Sequence, residues 1–166
     1  MLKIMIYKYK AVIPGNKVFI REYELKSEMN LFNFNSFLLN DLGFAPDQIV
    51  AFRGYDASGV FHSEYGLFDL GDGSMDMMTF EKLYKKGETE IHYVFDMFKE
   101  RYLCLFYEGE ADFSPKLSYP RTIIEKGRNP DQFSPNYEED GESIGDLNIA
   151  VEEVIDESEY DDSEQV

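Results

Sequence analysis

The chain is poor in the residues that build metal centres and disulfides: it has one cysteine, two histidines and no tryptophan in 166 residues. A lone cysteine excludes an internal disulfide framework and a cysteine-based zinc site, and it fits a reducing compartment. Cys104 lies in the apolar run Tyr102 to Phe106 and reads as a buried small hydrophobe rather than a nucleophile. His62 and His92 are too few for a recognisable zinc centre, and His92, on a predicted strand, reads as a packed or hydrogen-bonded residue. The expectation is therefore no metal and no cofactor. Long apolar runs are missing too: nothing approaches the roughly 18 to 20 residues of a bilayer span, and the opening MLKIMIYKYK has neither an apolar signal core nor a cleavage site. The expected location is cytoplasmic, with no membrane partner.

Basic residues are absent from one end. From Asn136 to Val166 there are thirteen acids and no Lys or Arg, which leaves residues 1–135 with twenty acids and sixteen bases, or −4 of the total −17. Such a field repels phosphate backbones and anionic bilayers, so nucleic acid is not the expected partner. The division predicts one α+β domain over 1–135 and an acidic, disordered tail over 136–166. Within the tail, Ile144, Leu147, Val151, Val154 and Ile155 recur near helical spacing. They define two alternatives, a partner-binding amphipathic helix and a solubility tail. Charge repulsion, Gly141 and Gly145 oppose the helix.

What is present in the body is alternation and one clear helix. Leu2 to Ile13 alternates up to Pro14-Gly15-Asn16, and Lys17 to Lys26 resumes with β-branched and aromatic residues, which predicts an antiparallel hairpin. The period then changes: Leu31, Phe34, Leu38 and Leu42 form an apolar helical stripe between a capping Asn30 and a terminating Gly43. Ile49 to Tyr55 predicts a third strand. Asp56 to Met78 reads as Gly/Asp/Ser-rich loop with a short extended piece over Val60 to Tyr65. Thr79 caps a short helix Phe80 to Lys86, closed by Gly87. Ile91 to Phe95 and Tyr102 to Tyr107 are nearly continuously apolar and predict a central hairpin buried on both faces. Asp112 to Pro135 reads as loop.

Three stretches carry a family resemblance: Leu31-Phe32-Asn33-Phe34 through Leu42-Gly43-Phe44; Tyr93-Val94-Phe95-Asp96 followed by Tyr102 to Tyr107; and Tyr119-Pro120-Arg121 with Gly127 and Pro130-Asp131. Over about residues 5 to 132 the chain resembles the plasmid pRiA4b ORF-3-like family, as a divergent member with an acidic C-terminal tail. Where that family has Phe-Gly-Asp-Gly-Trp after its shared Asp, this chain has Met97, Phe98, Lys99, Glu100 and Arg101, and Thr122 stands where the family often has Cys. The resemblance implies an α+β fold in ββαβ(α)ββ order. Two helices would lie on a mixed or antiparallel sheet of about five strands, with a β-grasp-like start. It also implies a setting among bacterial chromosomes, plasmids and mobile elements.

The candidate chemistry is sparse. Asp69, Asp72 and Asp76 lack the alternate-ligand spacing of a calcium loop and read as turn residues. Asp96 enters the central hairpin beside Lys99, Glu100 and Arg101, and reads either as an Asx turn or as a ligand-facing acid paired with Arg101 or Arg121. Arg121, Lys126 and Arg128 form the densest basic cluster. The binding set is thus Tyr93, Asp96, Arg101, Tyr119, Arg121 and Arg128, with no catalytic residue assigned. No constellation meets the geometric demands of catalysis, so the leading expectation is a non-enzymatic binding or adaptor module with a protein partner for the tail. Two alternatives are a small-ligand enzyme using Asp96 with Arg101 or Arg121, and a mobile-element-associated nucleic-acid regulator.

Overall fold

The alternation at the N-terminus forms two strands, β1 (Ile6–Ile13) and β2 (Asn16–Lys26), whose register places Tyr9 opposite Tyr23 and Tyr7 opposite Leu25 on one face. Lys8 opposite Glu24 and Lys10 opposite Glu22 occupy the other, so opposite charges meet where the sheet is wet. The turn is held by Asn16, whose Oδ1 accepts the backbone N–H groups of Val18 and Phe19. The computed structural model describes residues 3–133. The acidic segment 136–166 lies outside the described residues.

Helix α1 (Leu31–Leu42) starts and stops on the residues its sequence marks. Asn30 accepts from the Asn33 N–H, and Gly43 sits in the left-handed region at φ 71°. The stripe Leu31, Phe34, Leu38 and Leu42 is buried. Helix α2 (Phe80–Lys85) is capped by Thr79 and buries Phe80 and Leu83. Phe34 joins the two helices and the sheet: its ring contacts Phe80 at 5.1 Å, Tyr23 at 5.9 Å and Phe52 at 6.4 Å. Both helices therefore cover the same face, over a core that runs from Tyr9 and Tyr23 to Phe52, Tyr93 and Leu103. Burying this face is the dominant favourable term in folding.

The remaining strands are β3 (Ala51–Tyr55), β4 (Phe61–Tyr65), β5 (Glu90–Asp96), β6 (Arg101–Ala111) and β7 (Arg121–Lys126). They complete one seven-stranded sheet in the order β4-β3-β5-β6-β1-β2-β7. All six strand pairs are antiparallel, so of the two sheet types expected the antiparallel one forms. The sheet exceeds the expected five strands in two places. The short extended piece near Val60 is a full edge strand, β4, and β7 lies inside the stretch expected to be loop. Both are edges, where a strand needs only one neighbour and a weaker apolar pattern suffices. The hairpin β5–β6 is central, as its apolarity predicts, and Ile91 to Phe95 are buried throughout. Its second face is screened by neighbouring side chains rather than by a helix.

The segment after β7 is locked by Arg21, a buried side chain only 1% exposed. Its guanidinium donates to the Lys126 and Gly127 carbonyls and to Asn129 Oδ1. Gly127, at φ 78°, lies so close that an added Cβ would stand 3.0 Å from Phe19 Cα. The Gly127 to Pro130 stretch of the sequence is thus a structural latch.

Candidate functional site

The residues singled out from sequence fall into separate places. Asp96 closes the β5–β6 turn: Oδ1 accepts the N–H groups of Phe98 and Lys99, and Oδ2 accepts from Arg101 Nε at 3.0 Å and Nη2 at 2.7 Å. Burial raises its pKa, but the Lys99 N–H, Arg101 and the Phe98 N–H outweigh burial and hold the carboxyl below its ordinary range. Arg101 is itself buried and also donates to the Gln132 carbonyl. Arg121 is not part of this group. It pairs with Glu24 Oε1 at 2.5 Å on β7, four strand positions from β5, or roughly 19 Å at ordinary strand spacing.

Tyr93 points into the core and donates to Asn35 Oδ1 at 2.6 Å. Tyr119, before a cis Pro120, accepts the Ser114 N–H. Arg128 is exposed between the two residues that Arg21 holds. Asp69 accepts the Gly71 and Gly73 N–H groups, the bonds of a turn residue, whereas Asp72 accepts the N–H of Glu64 on β4 and Asp76 accepts from the Ser74 hydroxyl. Of the six candidates, Asp96 and Arg101 are in contact.

The sequence reading missed a cluster on the face that carries no helix. Side chains alternate along a strand, so Glu90 and His92 share that face of β5, and the hairpin register puts Cys104 of β6 directly opposite His92. The ligand-type atoms of Glu90, His92 and Cys104 all lie within 4.8 Å of one another. One carboxylate oxygen, Glu90 Oε2, contacts His92 Nε2 at 2.7 Å and accepts from Cys104 Sγ at 3.7 Å. The imidazole is fixed between two rings, Tyr55 at 4.0 Å and Tyr102 at 4.2 Å. Phe61 adds to the row by packing on Tyr55 at 5.6 Å. Phe61, Tyr55, His92 and Tyr102 thus form a row of rings crossing β4, β3, β5 and β6. Arg53 beside it is held by Glu64 at 3.0 Å and Glu100 at 2.7 Å.

Burial sets the titration of this cluster. It lowers the pKa of His92, with Glu90 opposing and Arg53 reinforcing, and it pushes the Cys104 thiol up to about 12, with Glu90 adding to the effect. Near neutrality the imidazole is uncharged and the thiol protonated. Because the folded state binds the His92 proton less readily than the unfolded chain, its contribution to stability is complete above an unfolded pKa of about 6.5 and is lost as pH falls through the lower folded value. The Asp96 contribution follows the same sign, failing below about pH 4. Denaturant midpoints should therefore decline in two stages on acidification, and His92→Gln should remove the first. A midpoint flat from pH 7 to 5 in the parent chain would contradict this assignment.

A second polar group is buried beneath α2. Glu88, fully buried, accepts from Tyr65 at 2.7 Å and Ser63 at 2.9 Å and pairs with Lys86 at 3.3 Å. Its carboxylate occupies the space beside Gly54, where a Cβ would stand 2.1 Å from Oε1. All its partners are internal, so the group reads as architecture.

Together these features define an α+β protein with two helices on one face of a seven-stranded antiparallel sheet and a ring-lined polar cluster on the other. No protein-family profile and no curated protein matches the chain. Among solved structures it is similar to the crystal structure of MM3350, a protein of unknown function from Methanosarcina mazei Go1. The TM-score is 0.64 at 11% sequence identity, over 77% of this chain and 72% of that one. At this identity the similarity shows the fold alone. No helix among the described residues is long and apolar enough to cross a membrane.

Proposed function

We propose that this chain is a non-enzymatic binding module that takes a basic protein segment onto the helix-free face of its sheet. The observation that carries the reading is the row Phe61, Tyr55, His92 and Tyr102, flanked by Asp56, Glu64 and Glu100. The stacked row offers apolar ring area to the stem of an arginine or lysine, and the nearby carboxylates supply the complementary charge. Arg53 offsets one of these charges through its pairs with Glu64 and Glu100, and the flank stays net negative. The thirteen acids beyond Asn136 extend the same preference, raising the local concentration of cationic partners. We also propose membership of the pRiA4b ORF-3-like family, on the three stretches that carry the resemblance.

The test is calorimetric titration of the full chain with an arginine-rich peptide at two salt concentrations. Tyr55→Ala and Phe61→Ala are each expected to weaken binding by about 2 kcal/mol, roughly 30-fold, as for a central interface residue. Binding that falls with salt but ignores both substitutions would assign the affinity to the acidic segment alone and overturn the role of the face.

A further inference from the structure

We propose that Glu90, His92 and Cys104 form a binding site for one borderline or soft divalent cation such as zinc, open at its fourth position. The donor set is one imidazole nitrogen, one thiolate sulfur and one carboxylate oxygen, all of them common zinc ligands. Their convergence follows from the register, since His92 faces Cys104 across the β5–β6 hairpin and Glu90 lies on the same face of β5. The spacing fits. Tetrahedral zinc with ligands at about 2.0 to 2.3 Å holds them roughly 3.3 to 3.7 Å apart, and the Cys104 to Glu90 separation is 3.7 Å. The His92 to Glu90 contact, at 2.7 Å, must open, and His92 and Cys104, which lie within 4.8 Å of one another, must settle at about 3.6 Å.

A single Glu90 oxygen contacts both the His92 Nε2 and the Cys104 thiol. Donor groups converging on one carboxylate oxygen are arranged so that a cation can replace the protons between them. On binding, the Cys104 S–H bond breaks, its electron pair goes to the metal and the proton leaves to solvent. His92 Nε2, which faces Glu90, offers its lone pair once its proton is carried on Nδ1 instead, and Glu90 offers its existing charge. The rings of Tyr55 and Tyr102 stack on His92 at 4.0 and 4.2 Å and restrict its rotation, a preorganisation that lowers the entropic cost of assembling the site. His92 is 9% exposed and Cys104 5% exposed, so water competes poorly for the donors. Counting cysteines and histidines along the chain argues against such a site, because Cys104 meets Glu90 and His92 only across the hairpin.

The test adds cobalt(II) to the full reduced chain and records its absorption. Because Cys104 is the only cysteine, a thiolate-to-cobalt charge-transfer band saturating at one equivalent identifies it as a ligand without any substitution. Zinc should displace the cobalt and abolish the band. Cys104→Ser should eliminate the band, and Glu90→Gln should weaken binding by roughly 100-fold, since loss even of outer partners costs about 10- to 100-fold. Affinity should rise with pH as the thiol proton is released. No band in the parent chain would overturn the site, and so would cobalt uptake that persists unchanged in Cys104→Ser. Should Cys104→Ser fail to fold, the band in the parent chain decides alone.

Discussion

Arg21→Met is expected to destabilise the protein by about 3 to 5 kcal/mol. The methionine stem replaces much of the packing over Phe19, which the guanidinium now overlies at 4.3 Å. What it cannot replace is the fork that donates to the Lys126 and Gly127 carbonyls at 2.6 and 3.0 Å and to Asn129 at 2.8 Å. Each carbonyl left dry and unpaired costs about 1 to 3 kcal/mol. The ion pair to Glu125 adds little, because that carboxylate is 64% exposed and the separation is 3.9 Å. Arg21→Lys should recover only a minor part, since one ammonium cannot span the same acceptors. Thermal unfolding should show a fall of roughly 10 to 15 °C, with amide protection lost first along β7. A change under about 0.5 kcal/mol, the level of an ordinary surface substitution, would mean that the latch carries no load.

Gly54→Ala is expected to cost about 2 to 4 kcal/mol, against the direction of local propensity. A glycine inside a strand is ordinarily a weakness, worth about 0.5 to 1 kcal/mol relative to alanine. Here the new methyl would stand 2.1 Å from Glu88 Oε1 and 2.6 Å from its Cδ. The carboxylate must then leave Tyr65 and Ser63, and a buried charge losing its partners is heavily destabilising. The diagnostic is the double substitution: with Glu88→Ala in place, Gly54→Ala should cost little, giving strong non-additivity in denaturant titrations. Additive effects would show that the carboxylate is not what occupies the space.

Much of the body was legible because local signals and tertiary structure agree. Asn30 and Gly43 bracket α1, Thr79 opens α2, and Pro14-Gly15-Asn16 turns the first hairpin. The central hairpin follows from uninterrupted apolarity. The two edge strands were less visible for the same physical reason: β7 is only partly buried and β4 exposes Phe61 and His62. The basic character of Arg21 hid its role, since a buried arginine looks like a solvated one until its acceptors are placed 105 to 108 positions away. Asp96 and Arg101 were recognised as neighbours, but sequence left open whether they form a turn or a site; the bonds to Phe98, Lys99 and Gln132 account for the turn. The Glu90, His92 and Cys104 group was available in principle. Folding the predicted β5–β6 hairpin about its turn sets His92 against Cys104, whereas counting ligand types along the chain does not.

The proposed function requires one face of the sheet closed by helices and the other open to a partner. Proton and carbon chemical shifts of the aromatic side chains, followed as an arginine-rich peptide is added to the full chain, test this most directly. Movement concentrated in Tyr55, Phe61, His92 and Tyr102, with Phe32 on the outside of α1 unmoved, is the predicted result. Saturable binding that leaves those four rings unchanged would contradict it.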